Sequence, residues 1–128
     1  MNLPRLVEQI AFHRLVGIRV AARHRDGVTL ECRLRPDLLN LAGVLHGGVT
    51  ATLADVAVGM ALTNHFGRSH HTTVEMKLNY LRPVERGKIT ARSRLLRVGS
   101  TLCVGRVDVR DSRRRLVAAA LVTYMRLP

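Results

Sequence analysis

The sequence predicts an α+β domain in which an antiparallel sheet is wrapped around one long helix, at about residues 47–64. The first observation behind this prediction is the segment GGVTATLADVAVGMALTN, whose only charged residue is Asp55; it is long enough for a helix and too short to cross a membrane. The second is the alternation of apolar and polar residues on both sides of it, which is typical of strands. The third is the length of 128 residues, which suits a single domain, 1–128. A helix that is apolar all round must be covered, and only the strands can do so.

The core is predicted to be aliphatic, because 47% of the residues are hydrophobic while aromatic residues make up only 3%. The formal net charge of +12 comes from nineteen Arg and two Lys against nine acidic residues. This balance favours an anionic ligand or partner, although solvated strand faces in an Arg-rich protein give the same charge. Nucleic-acid binding is not expected, because the basic residues are scattered and aromatic platforms for stacking bases are lacking.

Residues 1–16, MNLPRLVEQIAFHRLV, predict neither a signal peptide nor a membrane span, since charged residues interrupt every apolar run. Cys32 and Cys103 lack metal-binding or redox spacing, which favours two reduced, buried thiols in a cytoplasmic protein. No metal site is expected at His65, His70 and His71, because adjacent strand residues point to opposite faces and no Cys or carboxylate lies at ligand spacing.

Before the long helix, the sequence predicts a short N-terminal helix over residues 4–13 and then a hairpin. Pro4 suits the first turn of the helix, and the apolar residues after it recur at helical spacing. Asp26 and Gly27 form a tight-turn signal between strands predicted at 16–25 and 27–35. The segment RPDLLNLAG that follows is predicted to be a loop.

After the long helix, the sequence predicts three alternating strands and a last strand that is apolar on both faces. In the first of them, Val74, Met76, Leu78 and Tyr80 are expected to face one side of the sheet. The predicted strands cover residues 72–84, 87–99, 101–111 and 116–127. The arginine cluster at 113–115 is predicted to be a solvated turn.

Two features of the long helix point to chemistry. Gly47 and Gly48 open it, and the first backbone N–H groups of a helix lack internal partners and lie at the positive end of its dipole. Such an end suits a carbonyl oxygen or an oxyanion, although a structural tight turn also uses glycine. Asp55 is the stronger signal, because an unpaired buried carboxylate is costly; the alternative is a cap or a salt bridge with one of the arginines.

The spacing of these features predicts a dimer. Gly48 and Asp55 are seven residues apart, so they lie about 10 Å from each other along a helix axis. A base or nucleophile must come within roughly 3 Å of its target. If the helix N-terminus holds a substrate carbonyl, the attacking carboxylate therefore comes from a second chain packed antiparallel, and each of two identical sites combines both chains.

The run Asn40, Gly43, His46-Gly47-Gly48, Asp55 resembles the signature of the hotdog-fold acyl-CoA thioesterases of the phenylacetate-pathway (PaaI) type, which are related to 4-hydroxybenzoyl-CoA thioesterases. The later segments MKLNYLRPVERGKITARSRLLRVGS and LVAAALVTYM resemble the same family, so the similarity covers most of the chain. The resemblance implies a five- or six-stranded sheet around the helix, edge-to-edge pairing into a homodimer, and often a second pairing into a homotetramer.

The resemblance also implies roles for single residues. Gly47 would donate its backbone N–H to the thioester oxygen, with His46 shaping the turn and Gly48 beside it in the substrate-binding site. Asp55 of the partner chain would be the base or the nucleophile, and Asn40 would orient the water or the thioester. One position departs from the family, because relatives often carry a hydroxyl residue where this chain has Gly59.

The implied function is hydrolysis of an aromatic or a short- or medium-chain acyl-CoA to the free acid and coenzyme A. No separate cofactor is expected, because coenzyme A is part of the substrate. Its phosphates give the basic residues a role. The candidates for binding them are Arg82, Arg86, Lys88 and Arg97, and the alternative for each is a solvated surface charge. The competing function is a non-catalytic module that binds acyl-CoA or an acyl carrier protein.

Overall fold

A computed structural model describes all 128 residues and shows a six-stranded antiparallel sheet packed on one long helix. The helices are α1 (Leu3–Gln9), α2 (Ala11–Val16) and α3 (Gly47–Phe66). The strands are β1 (Ile18–His24), β2 (Gly27–Arg33), β3 (His71–Tyr80), β4 (Lys88–Val98), β5 (Leu102–Arg110) and β6 (Leu116–Arg126). None of the helices combines the length and apolarity needed to span a bilayer. The α+β architecture predicted from the sequence is confirmed.

The strand order β1-β2-β4-β5-β6-β3 explains how the sheet encloses the helix. After β2 the chain crosses the sheet as α3 and returns as β3 at the opposite edge. The strands β4, β5 and β6 then fill the space between β2 and β3. Five of the six strands pack along α3, and the sixth, β1, contacts its last turns through hydrogen bonds of Arg23 and His24 with Asn64. The sheet therefore ends in two edges, β1 and β3, and β3 presents a ten-residue edge.

The core between α3 and the sheet is aliphatic, as the composition predicts. The helix contributes fully buried small and medium side chains, of which the main ones are Leu53, Ala54, Ala57, Val58 and Leu62. The sheet contributes the buried side chains of Leu30, Ile89, Ala91, Val107, Val109 and Val122 to the same core. At Gly105 on β5 the approach is closest, because a Cβ there would lie 2.8 Å from Cγ2 of Val58. Glycine at this position thus sets how near α3 sits to the sheet.

The long helix is confirmed and extends two residues beyond its expected end, to Phe66. It stops at Gly67, which has a φ of 80° and donates its N–H to the carbonyl of Thr63. The single N-terminal helix expected over residues 4–13 is wrong, since two short helices meet there at an extended Ile10. The break follows from the Val7 carbonyl, which bonds the N–H of Ile10 and the Nδ1 of His13 instead of continuing the helix.

The expected alternation of β3 is wrong at Val74. The β3–β6 register shifts between Thr73 and Glu75, so Thr73 pairs with Tyr124 and Val74 is the extra residue of a bulge. Val74 is accordingly 54% exposed instead of facing the helix. The bulge brings Thr73 to the position opposite Tyr124 that unbroken alternation would give to Val74.

The close approach of Gly105 to Val58 leads to a prediction about stability. Replacing Gly105 by Ala should lower the free energy of unfolding by about 1–3 kcal/mol, because the new methyl group overlaps Val58 and pushes α3 off the sheet. The same substitution should cost clearly less in a Val58→Ala background, where the overlapping methyl groups are gone. Urea unfolding followed by circular dichroism measures both losses, and equal losses in the two backgrounds would contradict this account.

Candidate active site

The N-terminus of α3 leaves one backbone donor available. His46 caps the helix, because its Nδ1 accepts the N–H of Gly48 at 2.8 Å and its carbonyl accepts the N–H of Val49 at 3.0 Å. The N–H of Gly47, the first helical residue, has no acceptor within the chain. It lies at the positive end of the helix dipole and can therefore donate to a carbonyl oxygen that develops negative charge.

Tyr80 holds the start of the helix from the end of β3. Its hydroxyl donates to the carbonyl of Gly47 at 2.6 Å, and its ring lies within 3.1–3.3 Å of where a Cβ of residue 47 would be. Burial raises the pKa of Tyr80, which keeps this hydroxyl protonated as a donor. The alternating pattern of β3 predicts only a strand position for Tyr80, because its proximity to Gly47 depends on a contact between distant segments.

Asn40 organises the loop before the helix and faces the same cavity. Its Oδ1 accepts the N–H groups of Ala42 at 3.0 Å and Val44 at 3.2 Å. This fixes the orientation of the carboxamide, whose Nδ2 makes no hydrogen bond within the chain. Asn40, Gly47 and Gly48 line one cavity of 510 Å³. The structure therefore brings together the three residues that the sequence placed near the substrate carbonyl.

Asp55 lies eight residues further along α3, about 12 Å from Gly47 at about 1.5 Å per residue. It is half-buried and forms no salt bridge, so the arginine-paired alternative is not what the structure shows. Instead, Oδ1 accepts the hydroxyl of Thr73 at 2.7 Å and that of Tyr124 at 2.8 Å. Oδ2 has no hydrogen-bond partner within the chain.

A second cavity, of 240 Å³, adjoins the two hydroxyl groups that hold Asp55. Thr73 and Tyr124 line it together with Val56, Gly59 and Met60 from the next turn of α3. Neither Thr73 nor Tyr124 was predicted to be a site residue. Thr73 reaches Asp55 only because of the bulge, and Tyr124 lies in a strand whose pattern looks purely structural.

The basic residues divide into two groups. Arg82 and Arg86 line a cavity of 820 Å³ together with Arg113 and Arg115 of the β5–β6 turn, which sequence analysis treated as a solvated turn. By contrast, Lys88 forms an ion pair with Glu31 at 2.9 Å. Arg97 lies at the other end of β4, nine residues and about 30 Å from Lys88. The structure thus brings two of the four predicted basic residues together.

Comparison with known proteins finds a match to one protein family. The Thioesterase superfamily model matches residues 42–118, a range that includes the start of α3, Asp55 and Thr73. The medium/long-chain acyl-CoA thioesterase YigI of Escherichia coli is 28% identical over 93% of this chain and 87% of its own. Among solved structures, the thioesterase HI1161 of Haemophilus influenzae superposes with a TM-score of 0.91 at 26% identity, covering 98% of this chain and 88% of that one. A variant of the phenylacetic acid degradation protein PaaI of Thermus thermophilus gives 0.82 at 26% identity, covering 91% and 98%.

The cap at His46 can be tested by substitution. Replacing His46 by Ala should lower the free energy of unfolding by about 0.5–2 kcal/mol, because the N–H of Gly48 loses its acceptor. Replacing it by Asn, whose side-chain oxygen can accept the same bond, should restore most of the loss. Chemical denaturation measures both values. The cap would have no energetic role if the Asn and Ala variants were equally unstable.

Proposed function

The chain belongs to the thioesterase superfamily, and from that premise we propose that it hydrolyses an acyl-CoA thioester to the free acid and coenzyme A. The observation that carries the proposal is one helix with an unused N–H at its N-terminus, at Gly47, and a carboxylate free of ion pairs, at Asp55. The first can polarise a thioester carbonyl, and the second can activate the group that attacks it.

The proposed reaction begins with the carbonyl oxygen of the thioester accepting the N–H of Gly47. Negative charge develops on this oxygen during attack, and the helix dipole stabilises it. As a general base, Asp55 takes a proton from water, the water oxygen bonds to the carbonyl carbon, and the C–S bond breaks to release the thiolate of coenzyme A. As a nucleophile, Asp55 instead bonds to the carbonyl carbon, the C–S bond breaks to release the thiolate of coenzyme A, and water then hydrolyses the resulting anhydride to the free acid and the Asp55 carboxylate. Both routes use the same geometry.

Asn40 suits a positioning role beside the carbonyl. Its Oδ1 is occupied by two backbone N–H groups, which leaves the two Nδ2 hydrogens to donate to the thioester or to the attacking water. The loop bonds hold this donor in place before the substrate arrives, so little ordering is needed on binding.

The geometry supports a site that is shared between two chains. Gly47 and Asp55 of one chain lie about 12 Å apart on a rigid helix, whereas the reacting groups must lie about 3 Å from the same carbonyl. In a twofold homodimer with antiparallel α3 helices, Asp55 of each chain faces Gly47 of the other, which gives two identical sites. The ten-residue edge of β3 offers the backbone groups for edge-to-edge pairing of the two sheets.

The cavities suggest how the rest of the substrate lies. Arg82 lines both the cavity at Gly47 and the larger cavity with Arg86, Arg113 and Arg115, so the two spaces are neighbours. The phosphates of coenzyme A would bind these guanidinium groups while the thioester reaches the helix N-terminus. The 240 Å³ cavity beside the hydroxyl partners of Asp55 would take the first part of the acyl group. Because the relative YigI is named for medium- and long-chain acyl-CoA substrates, aliphatic acyl chains are the first candidates for this chain.

Release of free thiol from a panel of aromatic, short-, medium- and long-chain acyl-CoAs tests the proposed activity. Replacing Asp55 by Asn should lower kcat at least about 100-fold without unfolding the protein, because the side chain keeps its shape and loses its basicity. Asp37→Asn, at an acid whose side chain is 86% exposed and lines none of the three cavities, is the matched control and should keep full activity. An unchanged rate in the Asp55 variant, or binding of every acyl-CoA without thiol release by the unmodified protein, would refute the proposal.

Mixing two inactive variants tests the shared site. Gly47→Pro should abolish activity by removing the N–H, since proline is accepted at the first helical position and the extended ψ of 132° at His46 suits a following proline. Gly47→Ala, which keeps the N–H beside the same Tyr80 contact, is the control and should retain more activity. Chains with Gly47→Pro and Asp55→Asn, unfolded and refolded together, should recover about a quarter of the unmodified activity, because half the dimers contain one intact site of two. No recovery would show that one chain supplies both groups.

A further inference from the structure

We propose that Thr73 and Tyr124 are positioning residues that hold Oδ1 of Asp55 with their two hydroxyl groups and thereby present Oδ2 as the reacting oxygen. This inference rests on the proposed function of Asp55. Both hydroxyls contact the same oxygen, at 2.7 and 2.8 Å, while the other oxygen is left without a partner. A carboxylate held in this way cannot exchange its two oxygens by rotation unless both hydrogen bonds break.

The sheet register places the two hydroxyls side by side. Thr73 of β3 and Tyr124 of β6 are directly paired across the strands, and both lie against α3 at Asp55. The pairing depends on the bulge at Val74, since unbroken alternation would put a valine opposite Tyr124 and no second donor would reach the carboxylate. Bulges of this kind commonly re-aim a side chain next to an active site.

Gly59 allows Tyr124 to reach its position. A Cβ at residue 59 would lie 2.8 Å from the hydroxyl oxygen of Tyr124 and 3.2 Å from its Cζ. Residue 59 is one helical turn beyond Asp55, so any side chain there would displace the tyrosine from the carboxylate. The hydroxyl group beside Asp55 thus comes from Tyr124 of the sheet. It fits there because Gly59 has no side chain.

Tyr124 is suited to act as a permanent donor. Its hydroxyl lies 2.8 Å from Oδ1 of Asp55 and 2.9 Å from the backbone carbonyl of the same residue, so its single proton is shared between two acceptors that both belong to Asp55. Burial is the largest influence on its pKa and raises it far above that of a free tyrosine, and the nearby Asp55 adds to the increase. The raised pKa favours the protonated hydroxyl, which is the form that donates.

The expected consequence concerns kcat more than KM. Both side chains line the 240 Å³ cavity proposed for the acyl group, and neither lines the cavity at the helix N-terminus. Because Thr73→Val and Tyr124→Phe keep the shape of the acyl cavity, removal of the hydroxyls should leave binding of coenzyme A and of the acyl group largely intact. It should, however, let the carboxylate rotate away from the line of attack. Misplacement of a catalytic group by about 1 Å can cost around 100-fold in rate.

Steady-state kinetics on the best substrate of the panel tests this role. Thr73→Val and Tyr124→Phe should each lower kcat about tenfold or more, with KM within about twofold of the unmodified value. Thr73→Ser, which keeps the hydroxyl, should have a kcat close to that of the unmodified protein. Thr123→Val, on the opposite face of β6, is the matched control and should change neither parameter. Thermal unfolding of each variant identifies losses of activity caused by unfolding.

A double-mutant cycle tests the contact between Gly59 and Tyr124. Gly59→Ala should lower kcat as much as Tyr124→Phe, because the new Cβ displaces the hydroxyl. Adding Gly59→Ala to the Tyr124→Phe variant should lower kcat no further, since the interaction is already lost. Additive losses would mean that the two residues act independently and would overturn this part of the inference.

The outcomes separate the inference from the proposed function. If Asp55→Asn abolishes turnover while Thr73→Val and Tyr124→Phe leave kcat unchanged, the positioning role is wrong and the proposed function stands. If the hydroxyl variants raise KM and keep kcat, the hydroxyls contact substrate instead, and the inference is also overturned. If Asp55→Asn keeps full activity, the proposed function itself fails.

Discussion

The fold depends on the need to cover a helix that has no polar face. Because α3 is apolar all round, it is stable only where the sheet contacts it from several sides, and five strands do so. Small residues such as Ala54 and Ala57, together with Gly105 opposite Val58, let helix and sheet approach closely. The same enclosure makes an acidic or basic side chain on α3 exceptional, and Asp55 is the only carboxylate there. It leaves the first turn and the surroundings of Asp55 as the places where chemistry can occur.

The hydrogen bonds of Asp55 show how a carboxylate is accommodated in such a helix. The chain carries nineteen arginines, yet none pairs with Asp55. A guanidinium ion would satisfy the charge but would also occupy both oxygens in a bidentate pair. Two hydroxyl groups satisfy one oxygen and leave the other without a partner. Four of the arginines instead line the cavity next to the one at Gly47, where a phosphorylated ligand can use them.

The sequence was sufficient for features that depend on local pattern. The span of α3, the N-terminal glycines, the isolated acid and the aliphatic composition of the core all follow from periodicity and burial. Features that depend on pairing between distant segments were not accessible. The bulge at Val74 reverses the face of Thr73, and strict alternation contains no signal for it. Tyr124 and Tyr80 acquire their contacts only when β6 and β3 are brought against α3.

The tight fit between Gly59 and Tyr124 has an evolutionary meaning. A hydroxyl-bearing side chain on the helix at position 59 and a tyrosine at position 124 exclude each other sterically, although either could place a hydroxyl near the carboxylate. A chain can therefore change from one arrangement to the other only through an intermediate that has already lost its first hydroxyl group. Such sign epistasis would make the two positions change together among descendants of this chain, and a library that randomises them jointly would reach variants that single substitutions cannot.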